Sequence, residues 1–454
     1  MPYLSSNPAN GIIIQKFPSW NIGQLNAALE KTYTMQAHWR EVDFASRAAI
    51  LKRVAKLLRQ NSSQYAALIT SEIGKITREA QAEIEKSALG CDFYADHAEQ
   101  FLAPESVQTD ATKSYIRYEP LGTVLAIMSW NFPFWQIFRF AAPALIAGNA
   151  CILKHAANVP QCATAIETLF KEAGLPEGIF SVVFIEHNVI EIAISHPGIS
   201  AVTLTGSEQA GRKIAAIAGE RLKKCVLELG GSDPFIVLQD ADLEATVNAA
   251  IASRFQNCGQ SCVAAKRFIV VPEIADHFMQ AFKGKIENLK LGDPLDQTTD
   301  IGPMARADLR EALHRQVSDA ITGGAIPIIG CKPASGAGNF YLPSLIDQVN
   351  PSMRVFREEL FGPVAVVIRA KDEEDALALA SDTHYGLGAS IWSRDSARAE
   401  QIAKKIPSGM AFVNGVVKSD PRLPFGGIKD SGYGRELSYH GIREFVNTKT
   451  IWIK

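Results

Sequence analysis

Apolar residues at helical spacing mark the first hundred positions of the chain. Residues 45–61 carry one apolar stripe, formed by Ile50, Leu51, Val54, Leu57 and Leu58. This spacing predicts an amphipathic helix. Residues 77–100 continue in a similar but more charged pattern. We therefore expect the chain to begin with packed helices.

From residue 123 onward, short apolar runs alternate with helical stretches. The first set of runs comprises residues 123–129, 150–155, 181–186, 201–206 and 224–229. The second set comprises residues 235–238, 266–271, 364–370, 388–393 and 409–415. Such alternation predicts two α/β units with parallel sheets and crossover helices. Residues 230–234, GGSDP, lie between the sets and are the predicted hinge or domain boundary.

Two segments depart from this alternation. Residues 106–120 are polar, alternating and rich in Ser and Thr, which predicts an exposed hairpin. Residues 445–454 alternate like a strand that could pair with the sheet of another subunit. Composition alone does not decide whether the hairpin is a loop or an intersubunit strand.

Composition narrows the class of protein. The 454 residues carry a formal charge of −2, which gives no electrostatic signature for nucleic acid or an acidic membrane surface. We expect neither partner, no membrane helix and no signal peptide. Seven scattered cysteines argue against a disulfide framework and favour the cytoplasm. No metal site is expected, because Cys258 and Cys262 lack a second Cys/His pair at ligand spacing.

The segment NCGQSC, 257–262, ends in the strongest candidate nucleophile. Its glycine indicates a tight loop, and Cys262 closes it. A thiolate is a strong nucleophile. The alternative is that Cys262 is a small buried apolar side chain, as free cysteines commonly are.

Two further polar residues follow predicted strands. Glu228 ends the run 224–229, where burial would raise its pKa towards that of a general base or acid. Otherwise it is a strand-end glutamate in solvent. Asn131, in SWNFPFW, could donate a hydrogen bond to an oxyanion. Its alternative is an asparagine in a turn.

Candidate phosphate contacts are less specific. Ser207 opens a predicted helix, whose N-terminus could bind phosphate, or it serves only as an N-cap. Lys154 could reach a ribose or a phosphate, or is a solvated strand-end lysine. The chain contains no G-x-G-x-x-G, so the usual dinucleotide fingerprint is absent.

Seven segments in series together resemble the aldehyde dehydrogenase superfamily. They run over nearly the whole chain in the order SWNFPFW, ILKHA, TLTGS, LELGGSDP, NCGQSC, EELFGP and PFGGIKDSGYGRE. The resemblance implies a Cys262 nucleophile, an oxyanion hole made of Asn131 and the Cys262 N–H, and Glu228 as the base for the deacylating water. It also implies cofactor contacts, at Ser129, Trp130, Lys154, Ala157, Thr205, Ser207, Glu359 and Phe361.

The resemblance also implies an architecture. A dinucleotide-binding domain would comprise residues 1–103 and 121–229, and a catalytic domain residues 230–427. An oligomerisation arm would comprise residues 104–120 and 428–454. A homodimer or homotetramer is expected.

The cofactor is expected to be NADP+, with NAD+ as the alternative. Members of this superfamily that prefer NAD+ often carry Glu three residues after the lysine that matches Lys154. Here that position is Ala157. A small neutral residue removes repulsion against a 2′-phosphate, and Lys154 adds an attractive charge.

Within the superfamily, the chain is most similar to the succinate-semialdehyde dehydrogenases. That resemblance assigns Arg139 and Ser419 to the distal carboxylate, although Arg139 could instead lie in a surface ion pair. Some relatives carry a second arginine where this chain has Gln256. The alternatives are a broad aliphatic or aromatic aldehyde dehydrogenase, a CoA-acylating relative that Glu228 disfavours, and a non-catalytic binding protein.

Overall fold

Helices and strands alternate through most of the computed structural model, which describes residues 3–454. The strands are β1 (Tyr3–Ser6), β2 (Ile13–Phe17), β3 (Glu105–Ser106), β4 (Lys113–Pro120), β5 (Thr123–Ile127), β6 (Ala150–Lys154), β7 (Phe180–Val182), β8 (Ile199–Thr205), β9 (Lys224–Glu228), β10 (Asp233–Val237), β11 (Ala265–Val270), β12 (Ile326–Ile329), β13 (Ser344–Asp347), β14 (Val364–Arg369), β15 (Ser390–Trp392), β16 (Phe412–Val413), β17 (Gly432–Tyr433) and β18 (Val446–Ile453). The prediction of an α/β protein with parallel sheets is confirmed.

The α-helices supply the layers that cover the sheets. They are α1 (Ile22–Trp39), α2 (Phe44–Gln60), α3 (Ser62–Ile73), α4 (Thr77–Phe101), α5 (Trp135–Ile146), α6 (Pro160–Glu172), α7 (Ile190–Ser195), α8 (Glu208–Glu220), α9 (Leu243–Phe255), α10 (Pro272–Glu287), α11 (Ala307–Thr322), α12 (Arg354–Arg357), α13 (Glu373–Ser381), α14 (Ser396–Ala403) and α15 (Ser438–Arg443). The predicted stripe of α2 is buried except at its partly exposed Leu57. Asp43 caps this helix by accepting a hydrogen bond from the Ser46 N–H, at 2.8 Å.

Two large sheets organise the molecule. One has the strand order β17-β9-β8-β5-β6-β7, and its edge strand β17 is antiparallel to β9. The other has the order β12-β13-β14-β11-β10-β15-β16, with β12 antiparallel to β13. The remaining neighbours in both sheets are parallel. Separate clusters of buried apolar side chains pack against the two sheets.

The sequence-based strands differ from the structure at several points. The segment 230–234, which we predicted as a hinge or domain boundary, is not wholly a loop, because β10 begins at Asp233 and includes Pro234. The pairing of β10 with β11 shifts register between Asp233 and Pro234. Such an irregularity accommodates a proline that cannot donate a ladder hydrogen bond. Of the run 181–186, only the first two residues belong to a strand, β7. Val183 and Ile185 are buried in the core but belong to no strand.

The two segments that departed from the alternation meet in a small antiparallel sheet. β18 pairs with β4 along its whole length, from Val446 opposite Pro120 to Ile453 opposite Lys113. β3 pairs with the other edge of β4. The hairpin prediction is thus confirmed, and the C-terminal strand pairs within its own chain.

Candidate active site

Strand ends bring the predicted residues together at one edge of the six-stranded sheet. β8 ends at Thr205 and β9 at Glu228, and these two residues are direct neighbours in the ladder. β5 is followed by the segment that holds Ser129, Trp130 and Asn131. Because the carboxyl ends of parallel strands share an edge, these side chains reach a common cleft.

Cys262 lies at the end of a tightly held loop. After α9 the chain turns through left-handed backbone at Asn257 and Cys258, with φ of 51° and 54°. A Cβ on Gly259 would lie 2.2 Å from the Gly362 carbonyl oxygen, so this approach requires glycine. The buried Arg254 guanidinium donates to the carbonyls of Gly259 and Gly362, at 2.6 and 2.7 Å. The loop is therefore fixed before any ligand arrives.

The Cys262 side chain is partly exposed, whereas Cys258 is buried. The surrounding protein shields the Cys262 sulfur from water and thereby raises the pKa of the thiol to about 12, although the positive charges of Lys266 and Arg139 oppose this. Lys266 Nζ donates to the Cys262 carbonyl at 2.6 Å. The thiol is thus protonated in the free protein at neutral pH, and its activation needs a proton acceptor.

The side-chain amide of Asn131 is fully oriented. Its Nδ2 donates to the Gln260 carbonyl at 3.0 Å, and its Oδ1 accepts from Gln136 Nε2 at 2.7 Å and from Ser129 Oγ at 3.1 Å. One of the two amide N–H bonds remains for another acceptor. The amide is 3% exposed, so this donor is preorganised rather than a mobile turn residue.

A buried ion pair that the sequence analysis missed holds this segment in place. Lys75 pairs with Glu83, and both side chains are buried. Lys75 Nζ also donates to the Asn131 carbonyl at 3.0 Å. Glu83 Oε1 accepts from the backbone N–H groups of Phe134 and Trp135, at 2.8 and 3.1 Å, at the start of α5. A carboxylate is favourable at a helix N-terminus.

Glu228 is 3% exposed, so the alternative of a solvated glutamate is wrong. Among residues 3–454, neither of its carboxylate oxygens has a hydrogen-bond partner. Burial, and next the nearby Glu436 carboxylate, raise its pKa well above the ordinary value. An unpartnered buried carboxyl group facing a cleft has the properties of a general base.

Arg139 places a positive charge near Glu228, the candidate general base. It is 4% exposed and forms an ion pair with Glu436, so its partner is a buried rather than a surface carboxylate. Its guanidinium carbon lies 4.5 Å from the centre of the Phe425 ring, and its Nη2 lies 3.4 Å from Thr205 Oγ1. The Arg139 charge lowers the pKa of Glu228, against the two stronger effects.

Two cavities meet at Cys262. One, of about 230 Å³, is lined by Ser129, Trp130, Asn131, Thr205, Ser207, Glu228, Cys262, Glu359 and Phe361, among others. Glu359 Oε1 accepts from the Gly231 N–H at 3.3 Å and pairs with Lys266 at 3.1 Å. The rings of Trp130 and Phe361 meet edge to face, with their centres 5.7 Å apart. This cavity offers aromatic faces, two carboxyl groups and a helix N-terminus.

Lys154 and Ala157 lie outside these two cavities, at the end of β6. Lys154 is 4% exposed, so the alternative of a solvated lysine is wrong. Among the described residues it forms no ion pair; its Nζ lies 5.8 Å from the centre of the Tyr3 ring. Burial lowers its pKa from 10.5 to about 8. Ser207 is an N-cap, because its Oγ accepts from the Ala210 N–H at 3.3 Å.

The second cavity, of about 570 Å³, contains all three predicted substrate residues, Arg139, Gln256 and Ser419. Gln256 is exposed. Ser419 Oγ accepts hydrogen bonds from Lys86 Nζ at 2.7 Å and from Trp135 Nε1 at 3.0 Å. Lys86 lines this cavity and was not among the predicted residues.

Among residues 3–454, no helix has both the length and the apolar character needed to cross a bilayer.

Comparison with known proteins identifies the family. The family model described as "Aldehyde dehydrogenase family" matches residues 3–451. A succinate semialdehyde dehydrogenase [NAD(P)+] of Escherichia coli is 47% identical, over 99% of this chain and 97% of its own. A succinate-semialdehyde dehydrogenase [NADP(+)] of Mycobacterium tuberculosis is 45% identical over 100% of both chains.

A solved structure gives the same answer for the fold. The succinic semialdehyde dehydrogenase of Streptococcus pyogenes, in complex with NADP+, is 37% identical and superposes with a TM-score of 0.98 over 99% of both chains. This similarity covers both large sheets and the small antiparallel sheet. The chain therefore belongs to the aldehyde dehydrogenase family.

Proposed function

We propose that this protein oxidises succinate semialdehyde to succinate with NADP+, through a thioester on Cys262. The observation that carries the proposal is the position of Cys262 between two cavities. One cavity holds an unpartnered carboxyl group, and the other holds hydrogen-bond donors and cationic side chains. The names of the relatives support it further, because two pair this substrate with NADP+ and the third pairs it with NAD(P)+.

The chemistry follows from the residues around the sulfur. The Cys262 thiol gives up its proton to solvent water in the cleft, and its Sγ adds to the aldehyde carbon. The remaining N–H of Asn131 and the backbone N–H of Cys262 donate to the new oxyanion, an effect worth about 3–4 kcal/mol per donor in other enzymes. NADP+, when bound, would supply the acceptor for the hydride of this carbon. The acyl group is then held on sulfur as a thioester.

Glu228 acts in the second half of the reaction. Its raised pKa suits a group that takes a proton from water. The water oxygen adds to the thioester carbon, the C–S bond breaks, and Glu228 passes the proton it took from water to the leaving Cys262 sulfur. Because a base for water favours hydrolysis over transfer to a thiol, we expect a free acid as the product.

The cofactor is assigned to the cavity of about 230 Å³ and its surroundings. Glu359 would hold the nicotinamide ribose, with Phe361 beside the ring. Ser129, Trp130 and Thr205 would line this end, and Ser207 would meet the pyrophosphate at the start of α8. These roles are carried over from the family to the matching positions.

Lys154 fits the preference for NADP+. A buried lysine without an anionic partner is costly, and a 2′-phosphate would supply the missing charge. Ala157 offers no carboxylate that would repel this phosphate.

The distal carboxylate of the substrate is assigned to the cavity that contains Arg139 and Ser419, with Gln256 as a neutral donor at its exposed side. A bidentate guanidinium and a hydroxyl both suit a carboxylate. A second arginine is not needed at position 256 if other donors lie nearby.

The assembly and location are also proposals. Residues 1–103 and 121–229 would form the dinucleotide-binding domain, and residues 230–427 the catalytic domain. The sheet β18-β4-β3 leaves unpaired edges that suit an oligomerisation arm, from residues 104–120 and 428–454, in a homodimer or homotetramer. All seven cysteines are free, which suits a reducing cytoplasm.

A panel of aldehydes with both cofactors tests the proposal. We expect the highest kcat/KM with succinate semialdehyde and NADP+, and a lower value with hexanal or benzaldehyde. A Cys262→Ala variant should form no acyl-enzyme. Equal kcat/KM for hexanal would instead indicate a broad aldehyde dehydrogenase, and full activity of Cys262→Ala would exclude the thioester.

A further inference from the structure

Lys86 is a cation in the substrate cavity to which the sequence motifs assign no role. It lies on α4, and its Nζ donates to Ser419 Oγ at 2.7 Å. The same ammonium group lies 4.8 Å from the centre of the Trp135 ring, whose Nε1 also donates to Ser419 Oγ. These three side chains form one hydrogen-bonded cluster in the cavity wall.

The two arginines that line this cavity already have anionic partners, and Lys418, which also lines it, is exposed to solvent. Arg139 pairs with Glu436, and both are buried. Arg78 pairs with Asp300 at 2.9 Å. For Lys86, no carboxylate of residues 3–454 lies within ion-pairing distance. The positive charge of Arg139 is therefore largely balanced before a substrate binds, whereas the charge of Lys86 is not.

Ser419 has an unused donor that points to the same conclusion. Its oxygen accepts hydrogen bonds from both Lys86 and Trp135, which occupies its two lone pairs. Its hydroxyl hydrogen has no acceptor among the described residues. A hydroxyl held in this way, beside an unpaired ammonium group, is complementary to an anionic oxygen.

We propose that Lys86, acting with Ser419, supplies the charge that selects an aldehyde with a distal carboxylate. Ser419 donates its hydroxyl hydrogen to one carboxylate oxygen, and Lys86 Nζ pairs with the carboxylate. Arg139 contributes N–H donors but little net charge. This inference rests on the proposed function, because it assigns the residue that recognises its substrate.

Kinetics of a Lys86→Met variant test this assignment with two aldehydes of equal length. Loss of a charge-assisted hydrogen bond should lower kcat/KM for succinate semialdehyde by at least about tenfold, mainly through KM. For butanal, which lacks the carboxylate, the change should stay below about twofold. Lys86→Arg should retain most of the preference, because it keeps the charge.

Lys418 provides a matched control, because it also lines the cavity but is exposed. Lys418→Met should cost less than about threefold with succinate semialdehyde, since an exposed charge is screened by solvent. An equal loss in both lysine variants would overturn a direct contact by Lys86. So would an equal loss with both aldehydes, which would indicate a structural role.

The wild-type enzyme offers a test that needs no variant. Burial, and next the Arg139 charge, lower the pKa of Lys86 to about 8, while Glu83 and Asp420 oppose this and Lys418 adds to it. KM for succinate semialdehyde should therefore rise above pH 8 in saturating NADP+, relative to KM for butanal. The rise should be absent in Lys86→Arg.

The two proposals fail in different ways. A wild-type enzyme with no preference for succinate semialdehyde over butanal would refute the proposed function. A wild-type enzyme that has the preference and keeps it in Lys86→Met, with no relative change of KM above pH 8, would refute only the role of Lys86.

Discussion

Binding of NADP+ should weaken steeply as the pH rises above 8, whereas binding of NAD+ should not. The perturbation is the titration of Lys154, which lies at the end of β6. Its pKa is lowered by burial from 10.5 to about 8, and no carboxylate among residues 3–454 pairs with it. The difference corresponds to about 3 kcal/mol, the cost of keeping the ammonium charged without a partner.

The sign follows from linkage between protonation and binding. A 2′-phosphate favours the charged lysine, so NADP+ binding raises the pKa of Lys154 back towards 10.5. Below pH 8 the lysine is charged in both states and affinity is constant. Above pH 8 binding must take up a proton, and the dissociation constant rises about tenfold for each pH unit until the pKa of the bound state is reached. At pH 9 we therefore expect NADP+ to bind about tenfold more weakly than at pH 7.

Quenching of tryptophan fluorescence without aldehyde measures this directly. The dissociation constants of NADP+ and NAD+ are determined from pH 7 to 10, for the wild-type protein and for Lys154→Arg. The arginine variant should bind NADP+ with no such dependence, because its guanidinium stays charged. Parallel curves for the two cofactors, or an unchanged curve in Lys154→Arg, would show that Lys154 does not contact the phosphate.

Three further predictions concern specificity, the base and the oxyanion hole. Ala157→Glu should lower kcat/KM for NADP+ relative to NAD+ by about tenfold or more, because a carboxylate repels the phosphate; an unchanged ratio would contradict our account of cofactor choice. Glu436→Gln removes a charge that raises the pKa of Glu228, so the acid limb of the pH profile for thioester hydrolysis should move to lower pH. An acid limb that stays in place would show that Glu436 does not influence the pKa of Glu228. Glu83→Gln should cost about 3–5 kcal/mol in urea unfolding, because it leaves a buried lysine unpaired. The same variant should lower kcat for butanal through the displaced Asn131, and a normal kcat would show that the ion pair serves only stability.

Long periodic elements of the fold were predictable, whereas its short strands were not. The stripe in α2 spans several turns, and a strong period survives local noise. By contrast, β1 and β2 near the N-terminus, and β12 and β13 at one end of the seven-stranded sheet, were missed. β2 is almost wholly exposed, so its sequence shows no buried face that alternation could reveal. β7 ends earlier than the apolar run predicted, because apolar residues indicate burial and do not show whether the backbone pairs with a neighbouring strand.

The residues around Cys262 also differ in how far the sequence could predict them. Cys262, Glu228 and Asn131 stand in local motifs at the ends of strands or loops, so their positions could be predicted from a few neighbouring residues. Lys86 could not, because its partner Ser419 lies 333 positions away. No local spacing records a contact made only by the tertiary fold. The sequence does place Glu79, Glu83 and Lys86 on one face of α4. Helix faces that are exposed to solvent carry the same pattern, so the spacing alone does not indicate a substrate contact.

The ion pair between Arg139 and Glu436 changes how the substrate residues should be understood. Arg139 lies on α5, beyond the motif SWNFPFW, and Glu436 ends the last motif of the chain, so the ion pair links two segments far apart in sequence. Glu436 raises the pKa of Glu228, and Arg139 lowers it. Removing Arg139 would therefore expose Glu228 to two effects in the same direction: the lost cation and an unbalanced Glu436. Its loss should slow hydrolysis for every aldehyde, while the loss of Lys86 should affect only those with a carboxylate. An arginine substitution that impairs the enzyme is thus not by itself a sign of substrate recognition.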